Sequence, residues 1–286
     1  MTVSNTLKTP VLVLGATSLI GGYLLERLRA AGVDPVAVSR RPPPGEACWL
    51  DADLADPHLE DGLPPVATVF SLSPIWLLPA ALPALKARGM TRLVAFSSTS
   101  RFTKQVSEVP EERAVAASLA QAEAALEQFC TSHGVAWTLL RPTLIYDEGH
   151  DGNVSRLASL IRRFGVLPLS GKGEGLRQPV HAQDLAIGAL AAATAAAAEN
   201  RAYDLVGGET LTYHAMATRV FEGLDRRPAV FSLPPALFSL MLKAAAPFLP
   251  GATAAMGARM GVDLTFDSRD AVRDFGWAPR AFHPKF

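Results

Sequence analysis

Seven residues near the start of the chain, Gly15-Ala16-Thr17-Ser18-Leu19-Ile20-Gly21, sit between a continuous apolar run, Val11 to Leu14, and a helical stretch reaching Ala31. Small residues in that setting let the backbone turn sharply, approach a pyrophosphate and aim a helix N-terminus at its charge. Glycine spacing alone is weak evidence; a strand before and a helix after strengthen it. Other groups with chemical potential are less well organised. The six histidines form no ligand cluster in sequence, no Gly-x-Ser-x-Gly elbow supports a serine hydrolase, and the adjacent Asp147 and Glu148 read as solvated loop carboxylates. His181 precedes a helix start, and Asp184 reads as that helix's N-cap. No metal site is expected.

The elements that must position the glycine loop alternate. Strands are predicted at Val36 to Val38, Trp49-Leu50, Val66 to Leu72, Leu93 to Phe96 and Trp137 to Leu140. Helices are predicted over 77–88, 111–133, 153–164 and 184–199. Apolar strands without polar alternation, separated by helices, predict an α/β fold with a doubly wound parallel sheet over residues 1–150, a Rossmann-type dinucleotide-binding domain. Residues 151–286 then form a small C-terminal substrate lobe, partly interleaved with the sheet. In it, 165–175 reads as a glycine-rich loop, and Ala202 to Val206 and Val262 to Phe266 as isolated strands.

Gly15-Ala-Thr-Ser-Leu-Ile-Gly21 is similar to the G-A-T-G-x-I-G fingerprint of extended and atypical short-chain dehydrogenases/reductases, the NAD-dependent epimerase/dehydratase type. Asp51-Ala-Asp53-Leu54, Ser97-Ser98-Thr99, Leu140-Arg141-Pro142-Thr-Leu-Ile-Tyr146, Pro179-Val180-His181-x-x-Asp184-Leu185-Ala186 and Phe275-Gly276-Trp277-x-Pro279-Arg280-x-Phe282 resemble further family motifs in the family's order. Ser18 stands where the family's middle glycine usually sits. The resemblance implies cofactor contacts from Gly15, Thr17, Ser18, Leu19, Ile20 and Gly21, from Asp53 and Leu54 at the adenine edge, from Ser71, Leu72 and Ser73 along the ribose, and from Pro142. An acidic residue after the second strand would bind a ribose 2′-hydroxyl; this chain has Ser39-Arg40-Arg41, and a guanidinium there pairs a 2′-phosphate. NADP is therefore expected over NAD, with Arg40 as its reader.

The family usually carries Tyr-x-x-x-Lys on the long helix after the fifth strand, the lysine lowering the tyrosine pKa for proton exchange. Alignment on Glu127 puts Leu119 at the tyrosine and Glu123 at the lysine, and no tyrosine or lysine occurs between Gln105 and Trp137. Two readings stay open. One is an NADP(H)-dependent oxidoreductase or sugar-nucleotide-epimerase-like enzyme on a small carbonyl or hydroxyl compound, using Thr99 to bind the reacting oxygen, Tyr146 as proton donor and Lys104 behind it. The other is a dinucleotide-binding sensor, assembly factor or redox-complex subunit without turnover.

With 286 residues, 49% hydrophobic and 19% charged, the chain can bury a full core. Twenty-seven basic side chains balance 27 acidic ones, which removes the electrostatic motive for a nucleic-acid partner. Two cysteines, Cys48 and Cys130, are too few for a disulfide framework and fit a reducing cytoplasm. No uninterrupted apolar stretch reaches the ~20 residues of a membrane span. Residues 229–258 are apolar but broken by prolines, and Leu237, Leu240, Met241 and Phe248 are candidates for a weak surface contact. A monomer or homodimer is expected.

Overall fold

The computed structural model describes residues 7–43, 48–245 and 254–286, with the side chains of residue 245 and of 254–256 left aside. Seven parallel strands make the central sheet: β1 (Val11–Leu14), β2 (Val36–Ser39), β3 (Trp49–Asp51), β4 (Thr68–Ser71), β5 (Arg92–Phe96), β6 (Ala136–Pro142) and β7 (Arg201–Leu205). Their spatial order is β3-β2-β1-β4-β5-β6-β7. The order reverses direction between β1 and β4, and in such sheets ligands bind outside the carboxyl ends of the strands at that point.

Alternation along β1 sends its side chains to both faces. Val11 and Val13 pack with Leu24 and Leu28 of helix α1 (Gly21–Ala30) and with Leu185 and Ala189 of the helix spanning Ala182–Thr194. Leu12 and Leu14 pack with the helix Leu78–Ala87 and with Leu119, Ala122 and Leu126 of the long helix Pro110–Ser132. All four β1 residues are at most 1% exposed, and each fully buried Val or Leu contributes about 1.5–3 kcal/mol. Arg92, at the start of β5, is enclosed in the first of these layers. Its guanidinium donates to the Ala192, Ala193, Leu93 and Ala136 carbonyls and to Thr138 Oγ1, and burial lowers its pKa to about 10. Two of those carbonyls belong to the last turn of Ala182–Thr194, where a cation offsets the helix dipole.

The run expected as an isolated strand from Ala202 is β7, which closes the sheet beside β6. Its helix, Ala182–Thr194, packs on α1, so this part of the second half belongs to the sheet and not to the small lobe. Within 165–175, expected as loop, Leu167–Ser170 forms a strand parallel to Val230–Leu233. Pro168 and the flanking Gly165 and Gly171 read as breakers, but a two-stranded ladder tolerates a proline that a central strand would not. Val262 to Phe266 is not a strand. It is tied down by side chains: Arg177 donates to the Val262 carbonyl and Gln178 accepts from the Phe266 amide.

The N-cap of Ala182–Thr194 is His181, whose Nδ1 accepts from the Gln183 amide at 3.0 Å. Asp184, expected in that role, is 6% exposed and accepts instead from the backbone amide, Nε and Nη2 of Arg280. This clamp holds the C-terminal tail on the sheet. Asp184→Asn should lower stability by about 1.5–3 kcal/mol, the range for hydrogen bonds to a charged group, read as a lower urea midpoint at unchanged m-value. An unchanged midpoint would show that the tail holds without the clamp.

Candidate functional site

The loop leaving β1 is built for a close approach. Gly15 has φ +69°, and a Cβ there would lie 2.6 Å from the Ser73 amide nitrogen. At Gly21 a Cβ would stand 2.0 Å from the Ala16 carbonyl oxygen, so only glycine lets α1 begin this near the loop. Ser18 is not among the residues with positive φ, so this backbone does not require glycine at that position. The Ser18 hydroxyl is buried without a protein partner. A buried polar group ordinarily finds a hydrogen bond, and this one has no protein partner to accept it. Thr17 is exposed, Leu19 half-buried and Ile20 buried beneath the loop.

At the next strand end, the Ser39 hydroxyl contacts Thr17 Oγ1 at 3.2 Å and accepts from the Arg41 amide. The side chains of Arg40 and Arg41, which follow β2 directly, are exposed. Asp53 is exposed and caps the Ala55 amide, while Leu54 is buried. Ser71 ends β4 with its hydroxyl buried and unpartnered, Leu72 donates its amide to the Leu14 carbonyl, and Ser73 faces Gly15. The loop, β2 end and β4 end thus surround one crevice at the carboxyl edge of the sheet.

The other end of the crevice departs from acid–base machinery. Leu119 is 4% exposed and belongs to the core. Glu123, 3% exposed, accepts from Ser97 Oγ at 2.5 Å, from Arg141 Nε and Nη2 at 3.1 and 2.7 Å, and from Arg101. Arg141 also approaches Asp204 at 3.7 Å, and both guanidinium groups lie over the Phe102 ring. Burial pushes the Asp204 carboxyl up, against the opposing pull of Arg141. Sequence reading missed this cluster, although Glu123 at a lysine position and the arginine in Leu-Arg-Pro were both visible.

The three residues expected to carry the chemistry are not joined by any hydrogen bond among the described residues. Thr99 is 6% exposed, and its hydroxyl donates to the Pro142 carbonyl at 3.1 Å, so it keeps lone pairs but has no free proton. Tyr146, expected as the proton donor, is 1% exposed in the apolar cluster of the small lobe, its ring edge-on to His181 and Phe282. Burial, then the charge of Glu148, raises its pKa well above the usual phenol range. Lys104 is partly exposed after the short helix Ser100–Thr103, on the side of Glu112.

Asp147 and Glu148 are not solvated as expected. Asp147 accepts from the Tyr23 hydroxyl at 2.9 Å, and Glu148 from His181 Nε2 at 3.0 Å. Burial, with the Asp147 hydrogen bond, raises the Tyr23 pKa to about 12. Burial works against the Glu148 charge, but the hydrogen bond and charge of His181 together with the Glu148 and Lys285 backbone amides outweigh it and hold that carboxyl below its usual range. Ligand atoms of Asp147, Glu148 and His181 lie within 4.8 Å of one another, yet the group is knitted by its own hydrogen bonds to α1, the tail and the Ala182–Thr194 helix.

A cavity of about 520 Å³ opens in the small lobe, between the helix Val154–Phe164, the Leu167–Ser170 and Val230–Leu233 ladder, and the helices Tyr213–Glu222 and Pro235–Ala245. Leu237 and Leu240 of the last helix are exposed, whereas Met241 lines the cavity; Phe248 lies outside the described residues. Among the described residues, no helix is long and apolar enough to cross a membrane.

Removing the Glu123 charge leaves Arg101 and Arg141 facing each other across a buried site. Glu123→Gln should therefore cost on the order of 3 kcal/mol in urea unfolding, the low end for a broken buried pair because both arginines are partly exposed. Glu123→Lys, which restores the residue type of the family motif, should be worse, since it adds a third cation. A Glu123→Lys chain as stable as the parent would refute the clamp.

No curated protein matches the chain in sequence. Solved structures match its fold over nearly its whole length. MoeE5 in complex with UDP-glucuronic acid and NAD is 21% identical, with 96% of this chain and 95% of that one covered at a TM-score of 0.74. The UDP-glucose 4-epimerase of Thermotoga maritima, with UDP-glucose, is 18% identical over 95% and 94% of the chains at 0.69. UDP-glucuronic acid 4-epimerase from Bacillus cereus, with UDP-glucuronic acid and NAD, is 14% identical over 95% and 94% at 0.72. These likenesses establish a Rossmann-type fold. In sequence, residues 80–205, from the helix before β5 to the end of β7, match the NAD dependent epimerase/dehydratase family.

Proposed function

We propose that the crevice binds a nicotinamide dinucleotide and that the chain is an oxidoreductase or epimerase-like enzyme acting on a small carbonyl or hydroxyl compound. The observation that carries this reading is the β1 loop, where Gly15 and Gly21 admit no side chain and the buried Ser18 hydroxyl lacks a protein partner. Gly15, Thr17, Ser18, Leu19, Ile20 and Gly21 would hold the pyrophosphate, Ser71 to Ser73 the ribose, and Asp53 with Leu54 the adenine. The dinucleotide would supply hydride donation or acceptance. Thr99, its own proton committed to Pro142, would accept a hydrogen bond from a substrate hydroxyl.

Among the solved neighbours, MoeE5 and the UDP-glucuronic acid 4-epimerase of Bacillus cereus hold NAD. For this chain Ser39, Arg40 and Arg41 favour NADP, because the residues directly following β2 bring guanidinium groups to a 2′-phosphate. A second reading, binding without turnover, is favoured by Leu119 in the core and by Glu123 held between two arginines. A positioned acid is worth typically 10²–10⁴ in rate, and this chain has none in the family's place.

Fluorescence titration of NADPH and NADH on the parent and on Arg40→Ala tests the cofactor. The variant should lose about 1.5–3 kcal/mol on NADPH alone. Equal affinity of the parent for both cofactors would refute the NADP preference and keep the site; binding of neither would refute the site. Oxidation of NADPH at 340 nm by any member of a carbonyl panel would decide for the oxidoreductase; bound but unoxidised NADPH across the panel, together with no stereochemical inversion of sugar nucleotides followed by NMR, would decide for the binder.

A further inference from the structure

The cavity of the small lobe is chemically one-sided. Its walls are made by side chains such as Leu157, Leu160, Phe164, Met216, Phe231 and Phe238. At about 520 Å³ it lies in the range of small-molecule sites. Its lining includes Leu144, two residues beyond Pro142, and Leu264, two residues before the Phe266 ring that meets Phe102. The cavity wall thus runs on from the segment whose Pro142 carbonyl holds the Thr99 hydroxyl.

A nucleoside diphosphate would need cations here, because a charge taken out of water must be paired. The arginines at the walls are engaged. Arg177 gives Nη1 to the Leu176 and Val262 carbonyls and Nη2 to the Arg259 carbonyl, with its plane over the Tyr213 ring. Arg259 gives Nη1 to both carboxylate oxygens of Glu112, at 2.5 and 2.6 Å. Arg156 has a partner as well. What the cavity offers a ligand is apolar surface.

We infer that this cavity is the substrate pocket of the function proposed above, on which the inference rests, and that it takes an uncharged, largely apolar molecule bearing a carbonyl or hydroxyl, not a sugar nucleotide. The uncharged fluorophore N-phenyl-1-naphthylamine reports on it directly in the full chain. Saturable one-site binding is expected, displaced by a medium-chain aliphatic aldehyde or alcohol and unaffected by millimolar UDP-glucose. Leu160→Glu and Phe231→Glu, on different walls and at partly exposed positions, should each weaken the probe at least tenfold. Their thermal unfolding and NADPH titration should match the parent, which identifies the variants that fold. Absence of saturable probe binding, displacement by UDP-glucose, or undiminished binding in both folded variants would overturn the inference. Probe binding that behaves as expected in a chain that binds neither NADPH nor NADH would support the pocket and refute the dinucleotide reading.

Discussion

A parallel sheet must be covered on both faces, and everything in this molecule follows from how β1 meets that demand. Its four residues alternate between two apolar layers, with α1 and Ala182–Thr194 on one side and Leu78–Ala87 and Pro110–Ser132 on the other. Every connection between neighbouring strands must then cross the sheet and return to its starting edge. The carboxyl ends of all strands gather along one edge as a result, and the loops there are free to carry function while the layers below stay fixed. The direction reversal beside β1 leaves the crevice that those loops surround.

Within that frame, the charge at the end of β5 and β6 is arranged for structure. A lysine in Glu123's place would need a neighbouring tyrosine and an open approach to the crevice. The carboxylate instead collects Ser97, Arg101 and Arg141 around itself and joins the long helix to two strands. Such a cluster is costly to desolvate, and here Arg101 Nε and Asp204 Oδ1 stay buried without a hydrogen-bond partner. Its effect is to hold the floor of the crevice rigid.

The periodicity of apolar residues is a local property, so the strands and helices of the first half and the glycine loop were legible in the sequence. The role of Ala202 onward was not, because a single strand reads the same whether it joins a distant sheet or stands alone. Pro168 concealed a real strand, since its ladder partner lies some sixty residues away. Asp184 fitted an N-cap by position, and only the folded tail brings Arg280 to it. Motif order placed Thr99 just beyond β5, but hydrogen-bond direction and the enclosure of Thr99 and Tyr146 depend on packing that no motif encodes. The Glu123 cluster was half visible, as a charge reversal whose partners could not be named before β6 was placed beside β5.

The tail beyond Gly276 has a thermodynamic meaning for ligand binding. Trp277 is packed in the layer under α1 and Ala182–Thr194, Arg280 is clamped by Asp184, and Phe282 sits in the apolar cluster of the small lobe against Tyr146. Six residues of one strap therefore report to two cores. Loss of order in either core releases an anchor of the other, so the lobes share a single folding equilibrium. A molecule that bound only the folded small lobe would then add its binding free energy to the sheet as well, and one that bound only the sheet would do the same for the small-lobe cavity.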